Sequence, residues 1–175
     1  MDLIDALRRL RPAERRFAAG AYLFHRDDRV SLLHLVVDGE AQLVRHQAGG
    51  AALVLQRAGP GAIIAEASMF ADRYHCDCIA VAPTRTLSVR RTAVRRRMTA
   101  DPDFAEAWAA YLAHEVQATR QRAEILSLRT VAERLDAWIA ARDGRPPVKG
   151  EWKKVASEIG TSPEALYREL ARRRA

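Results

Sequence analysis

The sequence predicts an α+β fold made of a small antiparallel β-roll, one long helix and a C-terminal helix-turn-helix. Three observations carry this reading. Short apolar runs separated by turn signals fill the stretch from about Ala19 to Arg90, helical periodicity replaces them after Val89, and Glu151 to Arg174 reads as helix, glycine turn, helix. The divisions that follow are 1–100 for the roll, 101–142 for the long helix and 143–175 for the helix-turn-helix.

Taken in order, Leu3 to Arg16 carries apolar residues at helical spacing interrupted by Pro12, which predicts one or two short helices packed on the strands. Strands are expected in Ala21-Tyr-Leu-Phe, Leu32-Leu-His-Leu-Val-Val, Ala41-Gln-Leu-Val and Ala52-Leu-Val-Leu. Asp38-Gly39 is a hairpin signal because glycine tolerates the positive φ of a tight turn, and Gly49-Gly50 and Pro60-Gly61 punctuate the later strands. A short helix is expected over Thr92 to Thr99. Asp101 before Pro102 then starts a long one, the acid accepting from the first turn and the proline lacking an N–H that has no helical partner there. Along it Leu112, Val116, Thr119, Ala123, Leu126 and Thr130 alternate by four and three residues, the seam of a two-stranded coiled coil and hence of a homodimer. Arg142-Asp-Gly-Arg-Pro-Pro ends the helix and forms a linker.

With 175 residues the chain can bury one ordinary core plus a small appendage, which excludes a large multidomain enzyme. Its formal net charge of +7 comes mostly from arginine and favours a polyanionic partner, either nucleic acid or an anionic membrane surface. No apolar run is long enough to cross a bilayer, and Met1-Asp-Leu-Ile-Asp lacks the basic start and apolar core of a secretory signal, so a cytoplasmic protein with no membrane partner is expected. A glycine-rich phosphate loop, a His-Glu-x-x-His motif and a recognisable pair of acids are all absent from the sequence, and no enzymatic activity is expected. Cys76 and Cys78 stand too close in sequence for a bond between them to staple a fold.

The C-terminal motif carries the sharpest chemistry. Val155, Ala156, Ile159, Leu166 and Leu170 are spaced to form its internal core, small Ala156 lets the helices cross closely, and Ser162 before Pro163 caps the second helix. The polar face of that helix is left with Glu164, Tyr167, Arg168 and Arg172, while Lys153 and Lys154 lie on the first helix. In a major groove an arginine takes guanine O6 and N7 bidentately and a glutamate accepts from cytosine N4, and Glu164 and Arg168, four apart, share one face. The same pair is also an ordinary solvated helix pair.

Leu33-His-Leu-Val-Val-Asp-Gly-Glu-Ala-Gln-Leu, Gly61-Ala-Ile-Ile-Ala-Glu-Ala-Ser-Met-Phe and Ala156-Ser-Glu-Ile-Gly-Thr-Ser-Pro-Glu-Ala-Leu-Tyr-Arg-Glu-Leu together resemble the cyclic-AMP receptor protein and fumarate-nitrate reduction regulator (Crp/Fnr) family over nearly the whole chain. The resemblance implies a cyclic-nucleotide-binding-like β-roll (jelly roll), a long dimerisation helix, and a winged helix whose Glu164 and Arg168 read an inverted-repeat operator. Two departures stand out. Family members continue past the recognition helix into a β-hairpin wing, whereas here Arg172-Arg-Arg-Ala follows, leaving Arg172, Arg173 and Arg174 to supply phosphate contacts. In the pocket, the family's Gly-Glu-Leu followed by Arg-Ser is matched by Ala65-Glu66-Ala and Cys76-Asp77, with Thr119 on the long helix in the place of a base-contacting threonine. The phosphate-pairing arginine has become Cys76, and a second negative charge from Asp77 at 4 Å would oppose a phosphate by about 4 kcal/mol. Both changes argue against cyclic AMP as the effector.

His75-Cys76-Asp77-Cys78 offers three ligand-type side chains, and His75, Cys76 and Cys78 suit copper(I), zinc or a haem axial position, with further ligands from His25, His34 or a partner chain. Cys76 beside His75 is alternatively a redox thiol, or the pair is simply a buried strand cysteine and a surface histidine. The rival to a DNA-binding regulator is a wing-less sensor or scaffold of the same fold that binds a metal, haem or other ligand.

Overall fold

The structure is a computed structural model that describes residues 1–47, 52–148 and 150–173. The chain forms two compact units, Met1–Leu112 and Ala113–Ala175. Among the described residues no helix is long and apolar enough to cross a membrane.

The first unit begins with α1 (Leu3–Arg8), followed by β1 (Ala13–Phe17), β2 (Tyr22–Phe24), β3 (Leu32–Asp38), β4 (Ala41–His46), β5 (Ala52–Ala58), β6 (Ile63–Ile64), β7 (Asp77–Ala80) and β8 (Thr84–Arg90). They make two antiparallel four-stranded sheets, ordered β1-β8-β3-β6 and β2-β7-β4-β5. Alternation along β3 decides what each face meets. Val36 faces the roll interior with Phe24, Leu43, Tyr74, Cys76 and Cys78, whereas Leu33 and Leu35 face the helices. On that outer side Leu3 and Leu7 of α1 and Val94 of α2 (Arg91–Ala100) close a second core with Phe104 and Trp108 of α3 (Pro102–Ser127). The Ile63 N–H donates to Tyr111 Oη at 2.9 Å, fixing the start of α3 to the short strand β6.

Three expectations are corrected here. The helical reading of Leu3 to Arg16 holds only as far as Arg8. Beyond Pro12 the chain is strand β1, an edge strand paired with β8, whose mostly exposed residues carry no apolar alternation to announce it. Asp38-Gly39 does make a tight turn, but it joins strands in different sheets rather than the two arms of a hairpin. Gly39 is required there: its φ is +84°, and a Cβ would stand 2.2 Å from the Pro83 carbonyl oxygen. The predicted turn at Gly49-Gly50 lies outside the described residues.

The third correction concerns the long helix over 101–142. Asp101 does cap α3, its carboxylate accepting from the Phe104 N–H at 3.2 Å. The helix then ends at Ser127, and α4 (Val131–Ala140) begins after a break. Thr130, expected in the coiled-coil seam, instead closes a capping box: its Oγ1 accepts from the Glu133 N–H at 3.1 Å, and Glu133 Oε2 accepts from the Thr130 N–H at 2.9 Å. A threonine committed to an N-cap takes non-helical backbone angles, so the helix cannot run through it.

In the second unit α4, α5 (Trp152–Glu158) and α6 (Pro163–Arg172) enclose a core of Leu135, Trp138, Val155, Ala156, Ile159 and Leu166, with Ile125 of α3 and half-buried Leu170. Gly160, with φ +64°, makes the turn between α5 and α6.

Candidate effector pocket and nucleic-acid interface

The predicted pocket residues divide by strand face. Ala65 is buried and holds a left-handed conformation, φ +72°, at the head of a single helical turn over Glu66–Ser68. An alanine in that region is strained by the close approach of its Cβ to the following carbonyl. Glu66 is buried as well. Cys76 and Cys78 are two residues apart, share a face and point into the interior cluster, where they are 1% and 0% exposed. Asp77 between them points outward. Its Oδ1 accepts from the Arg26 N–H at 2.9 Å and lies 3.4 Å from His25 Nδ1, and its Oδ2 lies 3.8 Å from His46 Nε2. The carboxylate charge is therefore directed away from the pocket. That charge still bears on the Cys76 thiol behind it, and the replacement of arginine at Cys76 stands. Thr119 lies on α3 in the second unit, exposed.

The three side chains read as metal ligands are not brought together. His75 is exposed, with Nδ1 3.4 Å from Ser68 Oγ, while the two thiols face the interior. Burial pushes the Cys76 thiol up to about 11, Arg45 drawing it partly back, and pushes Cys78 higher still. A buried thiol held protonated at neutral pH is a poor nucleophile. His25 sits on the outer face beside Asp77, and His34 is buried with its Nδ1 2.9 Å from Ser88 Oγ. Among the described residues no three His, Cys, Asp or Glu side chains form a group able to hold a metal ion.

In the second unit the Ser162 hydroxyl accepts from the Ala165 N–H at 3.2 Å and Pro163 opens α6. Glu164, Arg168 and Arg172 are exposed along α6, and Lys153 and Lys154 are exposed on α5. The Glu164 carboxyl is held below the usual range by its own backbone N–H and the Ser162 hydroxyl, with Arg168 and Lys153 adding positive charge nearby. Tyr167 packs edge-on against Trp152 with ring centroids 4.9 Å apart. The exposed surface thus presents one acid and a set of cations around the start of α6, the donor and acceptor set that base edges and phosphates call for.

The basic end of α6 behaves differently from expectation. Arg173 donates to Asp136 Oδ1 at 2.6 Å, to Glu169 Oε1 at 2.7 Å and to the Ala132 carbonyl at 3.1 Å, so its head group ties the end of α6 to α4 although the residue is exposed. Arg172 pairs with Glu169 but keeps most of its side chain exposed, and Arg174 lies outside the described residues. Sequence reasoning also missed Arg134, whose Nε donates to the Leu128 carbonyl at 2.8 Å and whose Nη1 donates to the carbonyls of Ile159 and Gly160 at 3.2 and 3.0 Å. The Thr-x-x-Glu box beside it was the available signal that a helix starts there.

Comparison with known proteins follows this division. The cyclic nucleotide-binding domain family matches residues 14–101. No curated protein matches the chain. Among solved structures, FixK2 from Bradyrhizobium japonicum is 17% identical with a TM-score of 0.75, the match covering 92% of this chain and 83% of that one. The c-di-GMP-responsive global regulator CLP of Xanthomonas campestris is 17% identical with a TM-score of 0.70, over 98% of this chain and 90% of that one. The catabolite activator protein of Thermus thermophilus is 25% identical with a TM-score of 0.59, over 97% and 81%. At 17% identity the first two show the fold alone. Two of these three are described as a global regulator and a catabolite activator.

Proposed function

The chain belongs to the cyclic nucleotide-binding domain family and has the fold of Crp/Fnr-type transcription regulators, and from that premise we propose that it is a homodimeric, DNA-binding transcription regulator whose β-roll senses a small effector. The observation that carries the proposal is the exposed face of α6, where Glu164 and Arg168 stand beside the Ser162 cap with Lys153 and Lys154 exposed on α5. A helix placed in a major groove reads bases with its first turns, which is where Glu164 and Arg168 lie.

Dimerisation is supported by α3. Val116 is 47% and Leu126 38% exposed, and Thr119 and Ala123 between them are exposed too, so the seam at coiled-coil spacing stands largely open to solvent. A dimer of this kind reads an inverted repeat with half-sites roughly 34–36 Å apart.

The test is selection of bound sequences from a random DNA library at low salt, followed by gel shift. Inverted repeats should emerge, and Arg168→Ala should relax preference at one position per half-site, costing about 1–3 kcal/mol there. Lys153→Ala should weaken binding evenly across sequences and flatten the salt dependence by about one unit. Recovery of no sequence preference from the wild type would leave the scaffold reading in its place. Val116→Glu should convert a dimer to a monomer in analytical ultracentrifugation.

A further inference from the structure

In the second unit a cavity of about 440 Å³ opens between the last turn of α4, the segment that follows it, and α5. That volume falls in the range of small-molecule sites. Backbone hydrogen bonds fix its rim: the Ile139 carbonyl accepts from the N–H groups of Arg142 and Gly144 at 2.9 and 3.0 Å, and the Glu151 N–H donates to the Val148 carbonyl at 3.1 Å. Lys154, Val155 and Glu158 lie within one helical turn of each other, so a single face of α5 supplies the opposite wall.

Part of the lining is already neutralised. The Trp138 indole N–H donates to Glu158 Oε2 at 2.7 Å, Arg142 Nη2 donates to the same oxygen at 2.9 Å, and the Arg142 guanidinium lies 3.9 Å from the Trp138 ring centroid. Arg142 and Glu158 are therefore committed to each other and to the ring. Trp138, Val155 and Val148 remain as apolar contact, the last of them 64% exposed. Four other charged side chains line the cavity, two of each sign: Arg145 and Lys154, Asp143 and Glu151. All four are exposed, and among the described residues none of their side chains enters an ion pair or a hydrogen bond. Their charges cancel. A polyanion would meet two acids along with its cations, and a plain hydrocarbon would use neither pair. A molecule with one carboxylate, one ammonium and an apolar group matches the whole wall.

We propose that this cavity binds an α-amino acid with a large apolar side chain, its carboxylate held by Arg145 and Lys154, its ammonium by Asp143 and Glu151, and its side chain against Trp138, Val148 and Val155. The site lies wholly in the second unit and does not depend on the β-roll or on its effector.

The test is calorimetric titration of the full chain, without DNA, by L-phenylalanine and L-leucine. Phenylpropanoate and isocaproate carry the same apolar groups with the carboxylate alone, phenylethylamine and isoamylamine carry them with the ammonium alone, and glycine carries both charges without the apolar group. At least one of the two amino acids should bind, about tenfold or more tightly than its acid, its amine or glycine. Arg145→Ala combined with Lys154→Ala should weaken the amino acid and the acid by about tenfold and leave the amine unchanged, as expected for a charge-assisted contact. Asp143→Asn combined with Glu151→Gln should weaken the amino acid and the amine and leave the acid unchanged, and Arg16→Ala on β1 should change nothing. Failure of both amino acids to bind overturns the proposal, as does equal affinity for the acid or the amine alone. Binding that survives both double variants, with an unaltered circular dichroism spectrum, places the ligand elsewhere and overturns it too. Because DNA is absent, failure here leaves the DNA-binding reading standing, and failure of the gel shift leaves this one standing.

Discussion

Arg134 Nη1 donates to the Gly160 carbonyl at 3.0 Å, joining the first turn of α4 to the turn between α5 and α6. The same guanidinium holds the Leu128 carbonyl at the break between α3 and α4 and the Ile159 carbonyl at the end of α5. Three carbonyls that helix ends leave without intrahelical partners are thereby satisfied by one side chain. Arg134→Ala should lower the urea stability of the second unit by about 2 kcal/mol. Gly160→Ala should cost about 1 kcal/mol because of the positive φ at that position. Unchanged midpoints for both variants would show that the turn is held by its apolar core alone.

The buried His34 ring makes acid stability the second readout. Burial, with Arg15 adding, holds its pKa down at about 4 from the ordinary 6.5, so the folded protein keeps it neutral where the unfolded chain takes a proton. Its contribution to stability is complete above pH 6.5 and is lost as pH falls toward about 4, at about 1.4 kcal/mol per pH unit. Over that range the urea midpoint of His34→Gln should fall less steeply than that of the wild type. Parallel slopes would assign the acid sensitivity to carboxylates instead.

Thiol chemistry gives a third outcome. Cys76 and Cys78 should resist a water-soluble disulfide reagent at pH 8 in the folded protein and react at once in urea. Because burial raises the Cys76 pKa from 9.0 to about 11, its contribution to stability is complete below pH 9 and is lost as pH rises toward about 11. Cys76→Ser and Cys78→Ala together should flatten the alkaline side of the stability profile. Rapid labelling of the native protein at pH 8 would restore the reactive-thiol reading.

Ala65 supplies the fourth. Relief of its left-handed strain by Ala65→Gly should stabilise the first unit by about 1 kcal/mol, less the extra freedom that glycine has when unfolded. A lower thermal midpoint for the variant would mean that the alanine methyl group contributes more to packing than its backbone costs.

How much of this was legible depends on how local the signal is. Ser162 before Pro163, Asp101 before Pro102 and the glycine at 160 act on their own neighbours, so the starts of α6 and α3 and the turn before α6 could be read directly. The box at Thr130 and Glu133 was equally local, but the coiled-coil spacing of the preceding residues ran through it and hid the break. Edge strand β1 had no pattern to show, because its residues are mostly exposed and its definition comes from pairing with β8 far along the chain.

The helix-turn-helix with Glu164 and Arg168 on its exposed face, the roll of short strands and the apolar seam on α3 were determined by the sequence itself, since periodicity and capping are set within a few residues. Which sheet each strand joins, that Asp77 faces His25 and His46 while Cys76 faces the interior, that Arg45 stands beside Cys76, and that Arg173 closes on Asp136 were decided only by the tertiary structure. Each of those depends on packing between segments far apart in the chain, and within the strands a shift of one residue would turn the side chains to the opposite face.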